Sequence, residues 1–411
     1  MVRCARSIPI RNDLRWLPLF VLIFVVQVNG VSAQSERAAD DWPMWRGDLK
    51  NTGRSPSPTD AVKGERVWSF LAGNRVTVTP CFRKGVMYFG DWGGSAYAVD
   101  HRTGKLVWST EERVSKNPKP KEKKAKPPSD LAPALDGTAV KAEQVYSFSN
   151  PCVDDEHLYI ATQQGILTAF NVADGSVAWE REFPNDVYSS PRLAKGKLLI
   201  GCNDRNLYCL DPSNGKTIWK FETGDFVGSS AAVTRGGQVI FPAHDKFLRK
   251  VDLETGKLIA AFEIGYRSTG SPAIAFGSAY FCATGRKFMS VDLLRGNVRW
   301  HQPCTAQHQQ GIGVWKRQVM VIINRLLFCF DAITGEEKWR YNMEKPGVAS
   351  PCVGKELVYA SNGDGRIFAI RLENGELAWE ANYGAASWSS PVLIDGLVYI
   401  CDGKGRVSAF R

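Results

Sequence analysis

After residue 33 the sequence has no apolar run long enough to cross a bilayer, no Cys-x-x-Cys, no Gly-x-Ser-x-Gly and no sustained helical period. Each gap removes a class of function. A spanning helix wants about 20 apolar residues, so the mature chain is expected to be soluble. Without a Cys-x-x-Cys there is no sequence signature of thiol redox chemistry. The missing nucleophile elbow removes a serine hydrolase of the common type. Acidic residues never run densely enough to supply six to eight oxygens to one calcium ion. Histidine is scarce, five in 411 residues. The one grouping of soft ligands is His301, Cys304 and His308, a weak metal candidate within a single connection.

What is present begins with a leader. Arg3, Arg6, Arg11 and Arg15 precede the 13-residue apolar run "WLPLFVLIFVVQV", and "VSA" ends at Ala33. That is the pattern of an export signal cleaved after about Ala33, which predicts a periplasmic or secreted protein. Gln34 and Ser35 stand where a lipid-anchored protein would carry cysteine. Removing residues 1–33 takes four arginines and Asp13, lowering the formal net charge from +10 to about +7. Much of the rest lies in "KNPKPKEKKAKPP", residues 116–128. Such a run has nothing to bury and repels itself, so a disordered insertion is expected over about 111–142. No basic and aromatic face of the nucleic-acid-binding kind accompanies it.

The rest of the chain repeats itself. "AVDHRTGKLVW" at 98–108 returns as "CLDPSNGKTIW", "SVDLLRGNVRW", "CFDAITGEEKW" and "AIRLENGELAW". Aligning a glycine with the fourth residue beyond it gives eight slots. Seven hold Trp68, Trp108, Trp179, Trp219, Trp300, Trp339 and Trp379, and the eighth holds Ala260. Neighbouring slots lie 39 to 41 residues apart, except across the insertion. Strand-only units at that period predict propeller blades.

Residues 189–222 show the local chemistry: "SSPRLA", "KLLIGC", "NLYCL" and "TIWKFE" are short β-rich runs separated by turn residues. The predicted fold is therefore all-β, an eight-bladed propeller of four-stranded antiparallel blades over 64–411. The last unit stops after three strands and "GERVWSF" near the start is an unaccompanied fourth, so their pairing closes the ring and hides its edges. Residues 34–63 form a lead segment whose Trp42 and Trp45 are expected to clamp it to the body. Ala260, Asn171, Arg371 and Gln310-Gly311 depart from the repeat and are expected to weaken single contacts without removing a blade. Nine cysteines remain after residue 33. Cys81, Cys152 and Cys352 share one repeat position and Cys209 and Cys329 another, as expected of a small buried slot.

The "AxDxxTGKxxW" pattern, with "SSP" about 28 residues before its tryptophan, resembles the repeat of the pyrroloquinoline-quinone-type β-propellers. Its family includes quinoprotein dehydrogenases and a non-enzymatic, BamB-like branch. The resemblance implies an exported scaffold that binds an envelope protein, with outer-membrane protein assembly as the role. A quinone-dependent dehydrogenase and a propeller that binds a small molecule or glycan are the alternatives. As the family implies, the enzymes hold their quinone over calcium beside a carboxylate base, many with a disulfide between adjacent cysteines. This sequence has no Cys-Cys pair, and "NGDGR" at 362–366 reads as a hairpin turn. Hence no cofactor, metal or catalytic residue is assigned, and a monomer is expected.

A recognition site is assigned instead to the funnel mouth, where each outermost strand returns to the next innermost one. Three residues before the repeat proline the units read Thr77, Phe148, Tyr188, Gly228, Thr269, His308, Val348 and Trp388. Arg75 and Arg267 stand five before theirs. Arg75, Phe148, Tyr188, Arg267, His308 and Trp388 are the candidate contacts for a partner.

Overall fold

The turn inside each repeat is made by its own side chains. In the unit at 192–222, Asp211 Oδ1 accepts hydrogen bonds from Ser213 N (2.9 Å) and Ser213 Oγ (2.7 Å), and Gly215 takes a φ of 69°. That reversal lays Thr217–Glu222 against Asn206–Leu210, and the Lys195-Gly196 hairpin lays Arg192–Ala194 against Lys197–Gly201. The third strand is buried along its length while the fourth alternates, so one edge of the sheet faces solvent.

The computed structural model describes residues 41–110, 149–284, 287–304, 311–347 and 349–411. Its strands form eight four-stranded antiparallel sheets, the blades of an eight-bladed propeller, with no helix among the described residues. Blades 1 to 7 span 81–109, 152–182, 192–222, 232–263, 273–303, 313–342 and 352–382. Blade 8 joins three C-terminal strands, 392–410, to Arg66–Leu71, with Trp68 opposite Ala409 and Phe70 opposite Val407. The ring closes as the sequence predicts. The leader and the Lys/Pro-rich insertion lie outside the described residues.

Blades are locked by the recurring tryptophan. A register shift beside each slot marks a β-bulge between the third and fourth strands. Each indole N–H then donates to a carbonyl in the next blade's Asp-Gly turn: Trp108 to Val172 (2.8 Å), Trp219 to Leu253 (2.9 Å), Trp339 to Leu372 (3.0 Å). The ring plane covers that turn's glycine; a Cβ on Gly175 would sit 2.6 Å from Trp108. Closure uses the same lock, Trp68 reaching His101 O (3.0 Å) and Trp379 reaching Ala61 O (2.7 Å). Asn171 and Arg371 do not abolish their turns, because Asp174 Oδ1 takes Ser176 N (2.9 Å) and Asn374 Oδ1 takes Glu376 N (3.1 Å).

Ala260 departs from the expectation of a weakened contact. Opposite it, at the position filled by Ala98, Ala169 or Cys209 in other blades, stands Lys250. Its Nζ donates to Leu293 O at 3.1 Å, the bond an indole makes elsewhere. Phe262 covers Gly296 in the tryptophan's stead.

The residue before each repeat proline links the innermost strands. Ser190 N donates to Ser230 Oγ (2.8 Å), Ser230 N to Ser271 Oγ (2.8 Å), Ser350 N to Ser390 Oγ (3.0 Å) and Ser390 N to Thr79 Oγ1 (2.9 Å). Thr79 N to Asn150 Oδ1 (2.7 Å) and Asn150 N to Ser190 Oγ (3.0 Å) continue the belt, and Gly311 N reaches Ser350 Oγ (2.7 Å). The belt marks one face of the propeller. Each innermost strand runs away from it, so the first hairpins and the Asp-Gly turns lie on the other face.

A candidate partner-binding face

An innermost strand has no further strand beside it, so its inward N–H and C=O groups need partners from elsewhere. The lead segment supplies them, blade by blade. Trp42 and Phe82 exchange backbone bonds (3.0 and 2.7 Å) in blade 1, and Val153 N donates to Pro43 O (2.8 Å) in blade 2. In blade 3 the Arg192 guanidinium reaches Trp45 O. Val233 N then bonds Leu49 O (2.6 Å), Ile274 N bonds Lys50 O (2.8 Å), Val314 N bonds Thr52 O (2.8 Å) and Val353 N bonds Gly53 O (2.8 Å). Ser55 Oγ finishes on Leu393 O (2.5 Å) in blade 8. Trp42 and Trp45 are buried in this arrangement.

Two arginines are thereby enclosed. Arg46 Nη2 donates to Ile312 O and Pro351 O, both at 2.8 Å, and its chain passes so close to Gly311 that a Cβ there would lie 2.5 Å from Cδ. Asn51 Nδ2 likewise reaches Ser230 O (3.2 Å) and Pro272 O (2.9 Å). Burial lowers the pKa of Arg46 and of Arg192 to about 10, still charged at neutral pH.

On the belt face the candidate residues separate. Thr77, Gly228 and Thr269 are buried, Tyr188, Trp388 and Arg75 are half-buried, and Arg267 is exposed. Two rims form. At one, Trp388 stacks on Trp92 (centroids 6.3 Å, planes 19° apart), Trp92 Nε1 donates to Thr77 Oγ1 (2.8 Å), and the Arg75 guanidinium lies 5.4 Å from the Trp92 ring. That distance and face-on placement make a cation–π contact. At the other, Phe226 stacks on His244 (3.8 Å, 27°), and burial lowers the His244 pKa. Asp245 and Arg249 form an ion pair beside it. Tyr188 OH accepts from Gln163 Nε2 at 2.8 Å.

Trp92 and His244 were not among the candidate residues. They sit in turns between second and third strands, where the sequence elsewhere reads "TQQG" or "NDRN"; comparing those turns across the repeats would have picked out the aromatic. Phe148, His308 and Val348 lie outside the described residues. His301 is exposed on the last strand of blade 5, whereas Cys304 is buried with its Sγ 3.5 Å from Cys282 Sγ, so those two candidates face different surroundings. The nine described cysteines are all buried free thiols. Asn362 Oδ1 accepts from Asp364 N (3.0 Å) and Arg366 N (3.1 Å), so "NGDGR" is a turn.

A family model described as outer membrane protein assembly factor BamB matches residues 50–122, 141–303 and 290–411. The chain belongs to this family. A curated member from Yersinia pestis is 23% identical over 269 residues, 59% of this chain and 63% of that protein. The 1-butanol dehydrogenase (cytochrome c) of Thauera butanivorans is 28% identical over 207 residues, 47% of this chain and 26% of that enzyme. The chain thus spans less than two thirds of either relative. The crystal structure of BamB from Moraxella catarrhalis superposes with a TM-score of 0.65 at 16% identity, covering 84% of this chain and 97% of that one. No helix among the described residues is long and apolar enough to cross a membrane.

Proposed function

We propose that this BamB-family propeller is a non-catalytic scaffold of the cell envelope that engages a protein segment on its belt face, in outer-membrane protein assembly. The carrying observation is the rim of Arg75, Trp92 and Trp388. Tryptophan and arginine are the side chains that most often dominate binding energy at interfaces, and here the half-buried Arg75 and Trp388 rest on the buried Trp92, which Thr77 fixes from beneath. The leader pattern supports export, and the likeness to outer membrane protein assembly factors supports assembly.

A quinone-dependent activity is the competing reading, favoured by the match to the Thauera dehydrogenase. The innermost donor set fits it poorly. Calcium would need several oxygens, and the carbonyls of Ile312, Pro351, Ser230 and Pro272 are already engaged by Arg46 and Asn51. Two enclosed guanidiniums repel a divalent cation.

Photo-reactive residues at Tyr188 and Trp388 in intact cells test the scaffold reading. One envelope protein should be captured at both, and the captured amount should fall when Arg75→Ala is introduced. Quinone- and calcium-dependent dye reduction by the purified chain, with no protein captured, overturns it.

A further inference from the structure

The face opposite the belt carries apolar side chains that the fold does not use. Phe276 is 45% exposed, Leu294 84% and Ile333 38%, on three turns of the adjacent blades 5 and 6. Two of these turns touch, Leu293 N donating to Gly277 O at 2.9 Å. Trp300 of blade 5 joins the third by its bond to Ala332 O (3.1 Å).

Each position is polar or small in most other units. Where blade 5 has Phe276, blades 1, 3, 6 and 8 have Lys84, Lys195, Lys316 and Asp395. All five take a φ of 48° to 49°. A bulky aromatic there bears backbone strain and reaches no core. Leu294 and Ile333 stand where other blades have Arg102, Ser213, Glu254 or Glu373. Their turns hold them outward, since Asp292 Oδ1 fixes Leu294 N (2.8 Å) and Arg295 N (2.9 Å) and Asp331 Oδ1 fixes Ile333 N (2.9 Å).

Exposed cations accompany the three. Arg295 follows Leu294, and Lys316 and Arg317 form the neighbouring hairpin. Arg54 lies flat on Trp315 at 3.5 Å. The acids beneath these turns are largely covered and paired, Asp292 with Arg299 (2.7 Å) and Asp331 with Arg317 (2.8 Å).

We propose that this face docks on an anionic lipid surface, Phe276, Leu294 and Ile333 entering the headgroup boundary while Arg54, Arg295 and Lys316 meet the phosphates. Separate protruding tips, each set by its own turn with exposed cations on it or on a neighbouring element, suit a lipid interface; a protein segment would seek a continuous groove.

Co-sedimentation with vesicles tests it, using the full chain and residues 34–411, since the unit from Ala38 onward is compact in its own right. Vesicles of phosphatidylethanolamine with phosphatidylglycerol should sediment the protein, phosphatidylcholine vesicles should not, and raised salt should weaken the effect. Phe276→Asn with Leu294→Asp, or Arg295→Glu alone, should lower partitioning by about tenfold and about threefold respectively. Both variants touch only exposed side chains, and since Asn suits the positive φ of position 276, both should melt no lower than the parent. Equal sedimentation by both vesicle types, or an unchanged partition of the double variant, overturns the proposal. So does capture of a protein in place of lipid by a photo-reactive residue at position 294 in intact cells.

Discussion

Lys250 faces Ala260 across the third and fourth strands of blade 4, and its Nζ holds Leu293 O of blade 5 at 3.1 Å. Six of the other blades pair a tryptophan with alanine or cysteine at this point, and blade 5 pairs Trp300 with Ser290. Blade 4 has reversed the sizes of the two partners, small on the fourth strand and large on the third, while keeping the donor to the next blade. The two residues therefore act as one unit. Lys250→Ala should destabilise by about 1–3 kcal/mol, because Leu293 O loses its partner. Ala260→Trp alone should also destabilise, its ring meeting the lysine stem. Combining the two rebuilds the lock of the other blades, so the double variant should recover most of the loss. A double-mutant cycle by urea denaturation measures this, and additive losses would contradict it.

The glycine beneath each tryptophan gives a sharper test of the lock. Gly175 has a φ of 74°, and its missing Cβ would lie 2.6 Å from Trp108. Gly175→Ala thus meets backbone strain and a rigid ring together, and a cost above about 2 kcal/mol is expected. Gly196 has the same φ but open space around it, so Gly196→Ala should cost only about 1 kcal/mol from strain. The difference between the two isolates the packing contribution of Trp108.

Blade number, strand order and ring closure were legible because blades repeat, and each repeat states its turn, its lock and its belt residue in a fixed order. Three features escaped that reading for one physical reason: they depend on contacts between residues in different rows of the repeat. Lys250 compensates for Ala260 from another strand. Trp92 reaches Trp388 from a turn the aligned row does not include. The lead bonds through backbone carbonyls such as Pro43 O and Lys50 O, whose side chains carry no pattern.

Acid should loosen the second rim. Burial lowers the His244 pKa beneath the ordinary 6.5, so the unfolded chain binds its proton more readily than the folded one. The neutral ring's contribution is complete above pH 6.5 and is lost as pH falls through that value toward the folded pKa. Stability should therefore decline as pH falls below about 6.5. His244→Phe keeps the stack on Phe226 and removes the proton site, so its decline over that window should be shallower. Denaturant midpoints at several pH values decide this, and parallel curves for the two proteins would show that another group is responsible.

Arg46 binds the lead to blades 6 and 7 through two carbonyls, Ile312 O and Pro351 O. Truncating it to alanine leaves both acceptors buried and opens a void, and a loss of about 3–5 kcal/mol is expected. Arg46→Lys keeps the charge but has a shorter reach and lacks the planar guanidinium whose Nη2 meets both carbonyls, so it should recover only part of that loss. Because the same segment touches every blade in turn, from Phe82 to Leu393, loosening it should be felt around the whole ring. Hydrogen exchange in Arg46→Ala should accordingly quicken at Val233, Ile274, Val314 and Val353, whose N–H groups donate to the lead. Faster exchange confined to blades 6 and 7 would mean instead that each blade holds its own stretch of the lead independently.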